Sequence, residues 1–240
     1  MGTFIGNDAH FSHSGVMLAC YNTNCNMDIN FIFSIVILIF SVIIHEVSHG
    51  YAAYMQGDNT AKYAGRLNLN PLNHLEWFGS FILPVMSYFL GGFIIGWAKP
   101  VPFNPYNLRN QKWGEALVAF AGPLANISIA LIFGLLIRFG ILSQFGQAFV
   151  DIVLNIAFIN LVLATFNLVP IPPLDGSKIL FSVLSYSMTN VRNFLEQNSI
   201  FIIIFFVFFL WQFVLPLVLG ELHLITGIPV QSLAFLLHLY

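Results

Sequence analysis

Residues 29–54 form an apolar run long enough to cross a bilayer, and HEVSH (His45–His49) lies inside it. No other feature limits the chain's options as much. A helix rises ~1.5 Å per residue, so His45 lies ~24 Å along a span that starts at Ile29, against a hydrocarbon core of ~30 Å. Ionisable groups at that depth cost ~2.5–3.5 kcal/mol each on insertion scales, so they need a partner. Positions i and i+4 share one helix face, which lets His45 and His49 grip one atom. Neutral imidazole suits zinc at ~2.0–2.1 Å. Glu46, about 100° further round the helix, sits beside the open coordination position. There it can take a proton from water that the metal acidifies.

Composition fits this reading. Of 240 residues, 58% are hydrophobic and 8% charged, where a soluble domain carries roughly 25% charged residues. The net charge of −2 offers no basic surface for nucleic acid. We expect an all-α polytopic membrane protein with five to six transmembrane segments. Firm spans lie at 29–54, 114–139, 147–168 and 200–219, the last broken near Pro216. The segment 179–188 is short. The stretch 78–97 is interrupted by Pro84 and Gly91-Gly92, and reads as a full span or a re-entrant hairpin. Residues 1–28 read as a disordered polar extension, 29–219 as the membrane domain and 220–240 as an interfacial tail. His10, His13, Cys20 and Cys25 could be drawn as a metal site, but nothing else in the extension would order them. Lys99, Arg109 and Lys112 form the densest basic cluster, which the positive-inside rule places weakly in the cytoplasm.

A catalytic zinc needs a third protein ligand and an open position. Asp151 and Glu115 lie at span ends, where water can reach them. Asp175 lies in NLVPIPPLDG, where Pro170, Pro172 and Pro173 prevent a continuous helix and Gly176 permits a tight turn. On its own PPLDG also reads as a surface turn whose Asp caps the next helix. Beside HEVSH and apolar flanks, a carboxylate ligand is favoured, giving a His45–His49–Asp175 site for one zinc ion per chain.

HEVSH in a span, AGPLAN (residues 121–126) in a later one and NLVPIPPLDG (residues 167–176), in that order, resemble the site-2 protease family of intramembrane zinc metalloproteases. GRLNLNPLNH and GWAKPVPFNPYNLRN are similar to its compact branch, which lacks a PDZ domain. The resemblance implies that His45, His49 and Asp175 hold zinc and that Glu46 is the catalytic acid and base. It places Asn126 near the active site, helping to hold substrate, with Asn167 and His74 as nearby polar residues. Asn126 and Gly122 also have plain readings, as an interhelical hydrogen bond and a close-packing position. The chain departs from the branch at Glu76-Trp77, where Asp-Pro is common, and at Ser177, where a second Gly often follows.

The expected activity is hydrolysis of a peptide bond in or near a transmembrane segment of a membrane-anchored substrate. The expected setting is the bilayer of a prokaryotic cytoplasmic membrane. The oligomeric state is open. A metal-ion transporter is a rival, although HEVSH occurs once and no repeat is evident. An inactive helix-binding relative is another, and the intact Glu46 argues against it.

Overall fold

Every regular element among the described residues is helical. The computed structural model describes residues 13–74, 76–77, 99–142, 144–184, 188–206 and 211–237, and residues 79, 82, 85, 86, 89 and 209 singly. Side chains are described from residue 32 onward. His10 and the side chains of His13, Cys20 and Cys25 lie outside this set, as does most of 78–97. In chain order the helices are α1 (His13–Met55), α2 (Thr60–Tyr63), α3 (Pro71–His74), α4 (Gly114–Arg138), α5 (Gln147–Asn167) and α6 (Asp175–Val183). Then come α7 (Thr189–Gln197), α8 (Ser199–Phe205), α9 (Trp211–Thr226) and α10 (Val230–Leu236).

Among the described residues, three helical stretches are long and apolar enough to cross a bilayer: Ile32–Met55 within α1, α4 and α5. The pair α9–α10, bent by 106°, makes a fourth if it is one span. The five to six segments expected from sequence are not reached among the described residues. Helix α6 stops after nine residues, too short to span. The break expected near Pro216 is corrected: α9 runs through Pro216 to Thr226. Membrane helices tolerate an interior proline because neighbouring helices and small backbone adjustments satisfy the freed carbonyl.

The distribution of side chains suits lipid. Phe33, Val36 and Phe40 on α1 and Phe120, Leu124, Leu131 and Ile132 on α4 are exposed. Ser41, His45, His49, Asn126 and Asn160 are buried. Lipid gives apolar side chains no reason to hide, so small residues and interhelical hydrogen bonds hold such helices together. The buried stripe of α4 is built that way: Ala116, Ala119, Gly122, Asn126, Ala130 and Gly134, at helical spacing.

Hydrogen bonds set the register of the central helices. Gln56 meets Gly114, His49 meets Val118 and His45 meets Asn126, so α1 and α4 run antiparallel. Asn155 donates to Ser34 and Asn160 to Ser41, so α1 and α5 run parallel. The end of α1, the start of α4 and the end of α5 therefore share one side of the molecule, where the loops gather.

Asp58 pins those loops. Fully buried just beyond α1, its carboxylate accepts from Thr60 Oγ1 at 2.6 Å, Asn104 N at 2.7 Å and Asn107 Nδ2 at 2.9 Å. Burial alone would raise its pKa, but these donors outweigh it and hold the carboxyl below its ordinary value. A lowered native pKa contributes stability that is full above the unfolded value of ~3.9 and is lost as pH falls through the native one. Asp58→Ala is expected to cost about 3 kcal/mol near neutral pH, since hydrogen bonds to charged groups are worth about 1.5–3 kcal/mol each. The deficit should shrink on acidification below about pH 4. Thermal unfolding of both proteins in micelles across pH tests this, and a deficit that does not change with pH would count against it.

Candidate metal centre

The two histidines of α1 project from one face towards α4, and α4 receives them at Gly122. A Cβ on Gly122 would lie 2.5 Å from Nε2 of His49 and 2.7 Å from Cε1 of His45. Only glycine leaves room for both rings, which meet edge to face with centroids 4.6 Å apart.

Each imidazole is oriented from behind. His49 Nδ1 donates to the Val118 carbonyl at 2.7 Å. His45 Nδ1 donates to Asn126 Oδ1 at 2.6 Å. The Asn126 amide is itself fixed, because Nδ2 donates to Asn160 Oδ1 at 2.7 Å and faces the Ser41 carbonyl at 3.4 Å. As neutral imidazoles both rings carry their proton on Nδ1 and turn the Nε2 lone pair to the same point, the two nitrogens 3.0 Å apart.

Asp175 completes the group from the far end of the fold. After α5 the chain turns through residues 168–174, with the Pro172–Pro173 bond cis, and α6 opens at Asp175. Gly176 is pressed against the Leu168 and Val169 carbonyls, where a Cβ would collide with backbone. This close approach aims Asp175 inward. Its Oδ2 lies 3.1 Å from His45 Nε2 and 3.2 Å from His49 Nε2. Its Oδ1 lies 3.8 Å from Lys178 Nζ.

With both imidazoles neutral, three electron-pair donors converge on one point, an arrangement that a cation between them stabilises. Tetrahedral ligands bonded to zinc at 2.0–2.2 Å are about 3.3–3.6 Å apart, a few tenths of an ångström longer than the observed edges of 3.0, 3.1 and 3.2 Å. The residues fit a zinc ion, and His45, His49 and Asp175 are the group among the described residues that could hold one.

Glu46, next to His45 on α1, is half-buried. Its Oε2 accepts from Val101 N at 2.9 Å. The segment carrying Val101 is braced on both sides, since Lys99 N donates to the His74 carbonyl at 2.8 Å and Arg66 Nη2 donates to the Lys99 carbonyl at 2.7 Å. His74 belongs to that brace and not to the donor group. Buried completely, it donates from Nε2 to the Asn68 carbonyl at 2.7 Å. Burial pushes its pKa down, the bond to Asn68 opposes this and the charge of Arg66 adds to it. Asn167 spends its amide on Leu163 O at 2.9 Å, one turn back in its own helix. Asn126 faces His45 directly.

Reasoning from sequence missed Asn160, Ser41 and the Val101 amide. The first two could have been noticed as polar residues inside apolar spans. The third could not, because a backbone amide has no signature in composition.

The sequence profile of Peptidase family M50 matches residues 33–153 and 142–210. The chain is 36% identical over 196 residues to "Putative zinc metalloprotease YwhC" of Bacillus subtilis (strain 168), covering 76% of this chain and 80% of that protein. It is 26% identical over 150 residues to "Zinc metalloprotease MJ0392" of Methanocaldococcus jannaschii, covering 62% of this chain and 34% of that one. No solved structure matches the chain. The profile takes in all three donor residues and the helices that bring them together, and on that footing the chain belongs to peptidase family M50 as a zinc metalloprotease.

Proposed function

We propose that this chain is an intramembrane endopeptidase, cutting a peptide bond in or near a transmembrane segment of a membrane-anchored protein. The observation that carries the reading is the triangle of donor atoms from His45, His49 and Asp175 enclosed by apolar helices: a hydrolytic centre at that depth serves substrates that are themselves in the membrane. His45, His49 and Asp175 hold the zinc ion. When bound, zinc polarises a scissile carbonyl and acidifies water at neutral pH.

The chain's own residues do the rest. Glu46 holds one carboxylate oxygen against the Val101 amide. That fixes the side chain while the other oxygen takes a proton from the attacking water and passes it to the leaving amine nitrogen. The polar loop side, where Glu46 is half-buried, admits the water. The substrate must unwind locally, because helix hydrogen bonds hide its backbone; Asn126, behind His45, and Asn167, at the end of α5, are the polar residues next to the centre that would support its binding. The catalytic unit spans 29–219, with 1–28 as an extension and 220–240 as an interfacial tail. The full count of five to six segments and a place in a prokaryotic cytoplasmic membrane belong to the same proposal.

The test uses the protein reconstituted in liposomes with tagged single-span substrates. Mass spectrometry of the products is expected to map cleavage within or beside the span, and none on the same sequence offered free in solution. Cleavage confined to water-exposed loops would overturn the intramembrane reading. Zinc flux across the vesicles without any cut would favour a transporter.

A further inference from the structure

A line of buried polar side chains runs from the metal centre into the helix bundle, and its far members have no role in the chemistry above. Asn126, Asn160 and Ser41 are all buried, the two asparagines completely. They link α4, α5 and α1. From the centre outward, His45 Nδ1 donates to Asn126 Oδ1 at 2.6 Å and Asn126 Nδ2 donates to Asn160 Oδ1 at 2.7 Å. Asn160 Nδ2 then donates to Ser41 Oγ at 2.9 Å and to the Ile156 carbonyl at 2.9 Å.

The direction of this line is fixed at its far end. A backbone carbonyl only accepts, so Ile156 O forces the Asn160 amide to present Nδ2 to it and Oδ1 to Asn126. That in turn forces Asn126 to present Oδ1 to His45, which places the proton of the neutral imidazole on Nδ1 and leaves the Nε2 lone pair free to bind a metal. An Asn126 amide turned the other way would offer N–H groups to the ring and favour the tautomer with a protonated, non-ligating Nε2. Partners behind a metal-binding histidine of this kind typically control 10–100-fold in affinity or activity.

We infer that Asn160, supported by Ser41, is a positioning residue: acting through Asn126, it sets the tautomer and ring orientation of His45 and so tunes the affinity of the centre for its metal. The inference rests on the assignment of His45, His49 and Asp175 as the metal site. A polar line also suits three parallel and antiparallel helices whose outer faces are apolar. A hydrogen bond that sets the proton on a ligand is active only in one orientation, and that orientation is the one present.

The experiment measures zinc affinity by chelator competition, and the visible spectrum of the cobalt(II)-loaded protein, on full-length chains in detergent. Asn160→Leu removes both functions of the amide at similar volume, and its affinity is expected to fall about 10- to 100-fold with a changed cobalt spectrum. Asn160→Asp, protonated when buried, still accepts from Asn126 and donates to Ser41, so it should stay within about threefold of wild type, a small part of the range such partners control. Wild-type affinity and spectrum in Asn160→Leu would overturn the inference. An Asn160→Asp affinity far below wild type would do so as well, even if Asn160→Leu does not fold. Wild-type protein that binds no zinc would instead overturn the underlying metal site.

Discussion

Glu46→Gln is expected to keep its zinc and lose cleavage by about 10²–10⁴-fold, the range usually supplied by a positioned acid or base. The substitution is chosen for what it preserves. Gln has the same shape, and its amide oxygen can still accept from Val101 N, the bond that Glu46 Oε2 makes at 2.9 Å. The brace formed by Arg66, His74 and Lys99 behind that segment touches no atom that changes. His45, His49 and Asp175 keep their geometry, so metal content should equal that of wild type. What Gln cannot do is accept a proton from water and give it to a leaving amine. Product formation from a tagged membrane substrate, measured beside zinc content, separates the two properties. Equal turnover by both proteins would remove Glu46 from the mechanism.

The second large effect concerns the metal itself. Asp175→Asn should lower zinc affinity by more than about 100-fold, because four-ligand zinc sites bind with about 10–16 kcal/mol and one ligand's share is about 3 kcal/mol. Asn matches Asp in size and can still face the two imidazoles, so the turn through residues 168–174 and the approach of Gly176 to the Leu168 and Val169 carbonyls persist. The helical content should therefore be unchanged. The charge is the difference: a neutral amide opposes the ion's charge poorly, and its nitrogen can turn N–H groups towards the bare Nε2 atoms and satisfy them without metal. Affinity and circular dichroism measured on the same preparations decide the matter. Undiminished zinc binding in Asp175→Asn would mean that the carboxylate is no ligand.

Much of the centre was legible because its first half is local. His45 and His49 are four residues apart, and the pitch of a helix alone puts them on one face. Asp175 was legible more weakly, as an acid between prolines and a glycine at the end of an apolar run. His74 carried a ligand's chemistry but lies in the brace under Lys99, since its loop packs against residues 66–68 and 99 and not against α4. Pro216 read as a break and is not one. A proline rule learned from helices in water overstates the penalty where neighbouring helices repair the backbone. Asn167 turned to its own helix, a choice made by side-chain rotation that sequence does not encode.

The order of residues by itself determined the membrane class, the paired imidazoles and the presence of a carboxylate, Glu46, beside them. Each follows from hydrophobicity or from the geometry of one helix. Tertiary structure alone decided that Asp175 closes the group, that Gly122 makes room for both rings, and that Asn160 orients Asn126 behind His45. Those depend on the antiparallel register of α1 against α4 and its parallel register with α5. Such registers are set by small residues and buried hydrogen bonds summed over three helices, so no single stretch of the chain contains them.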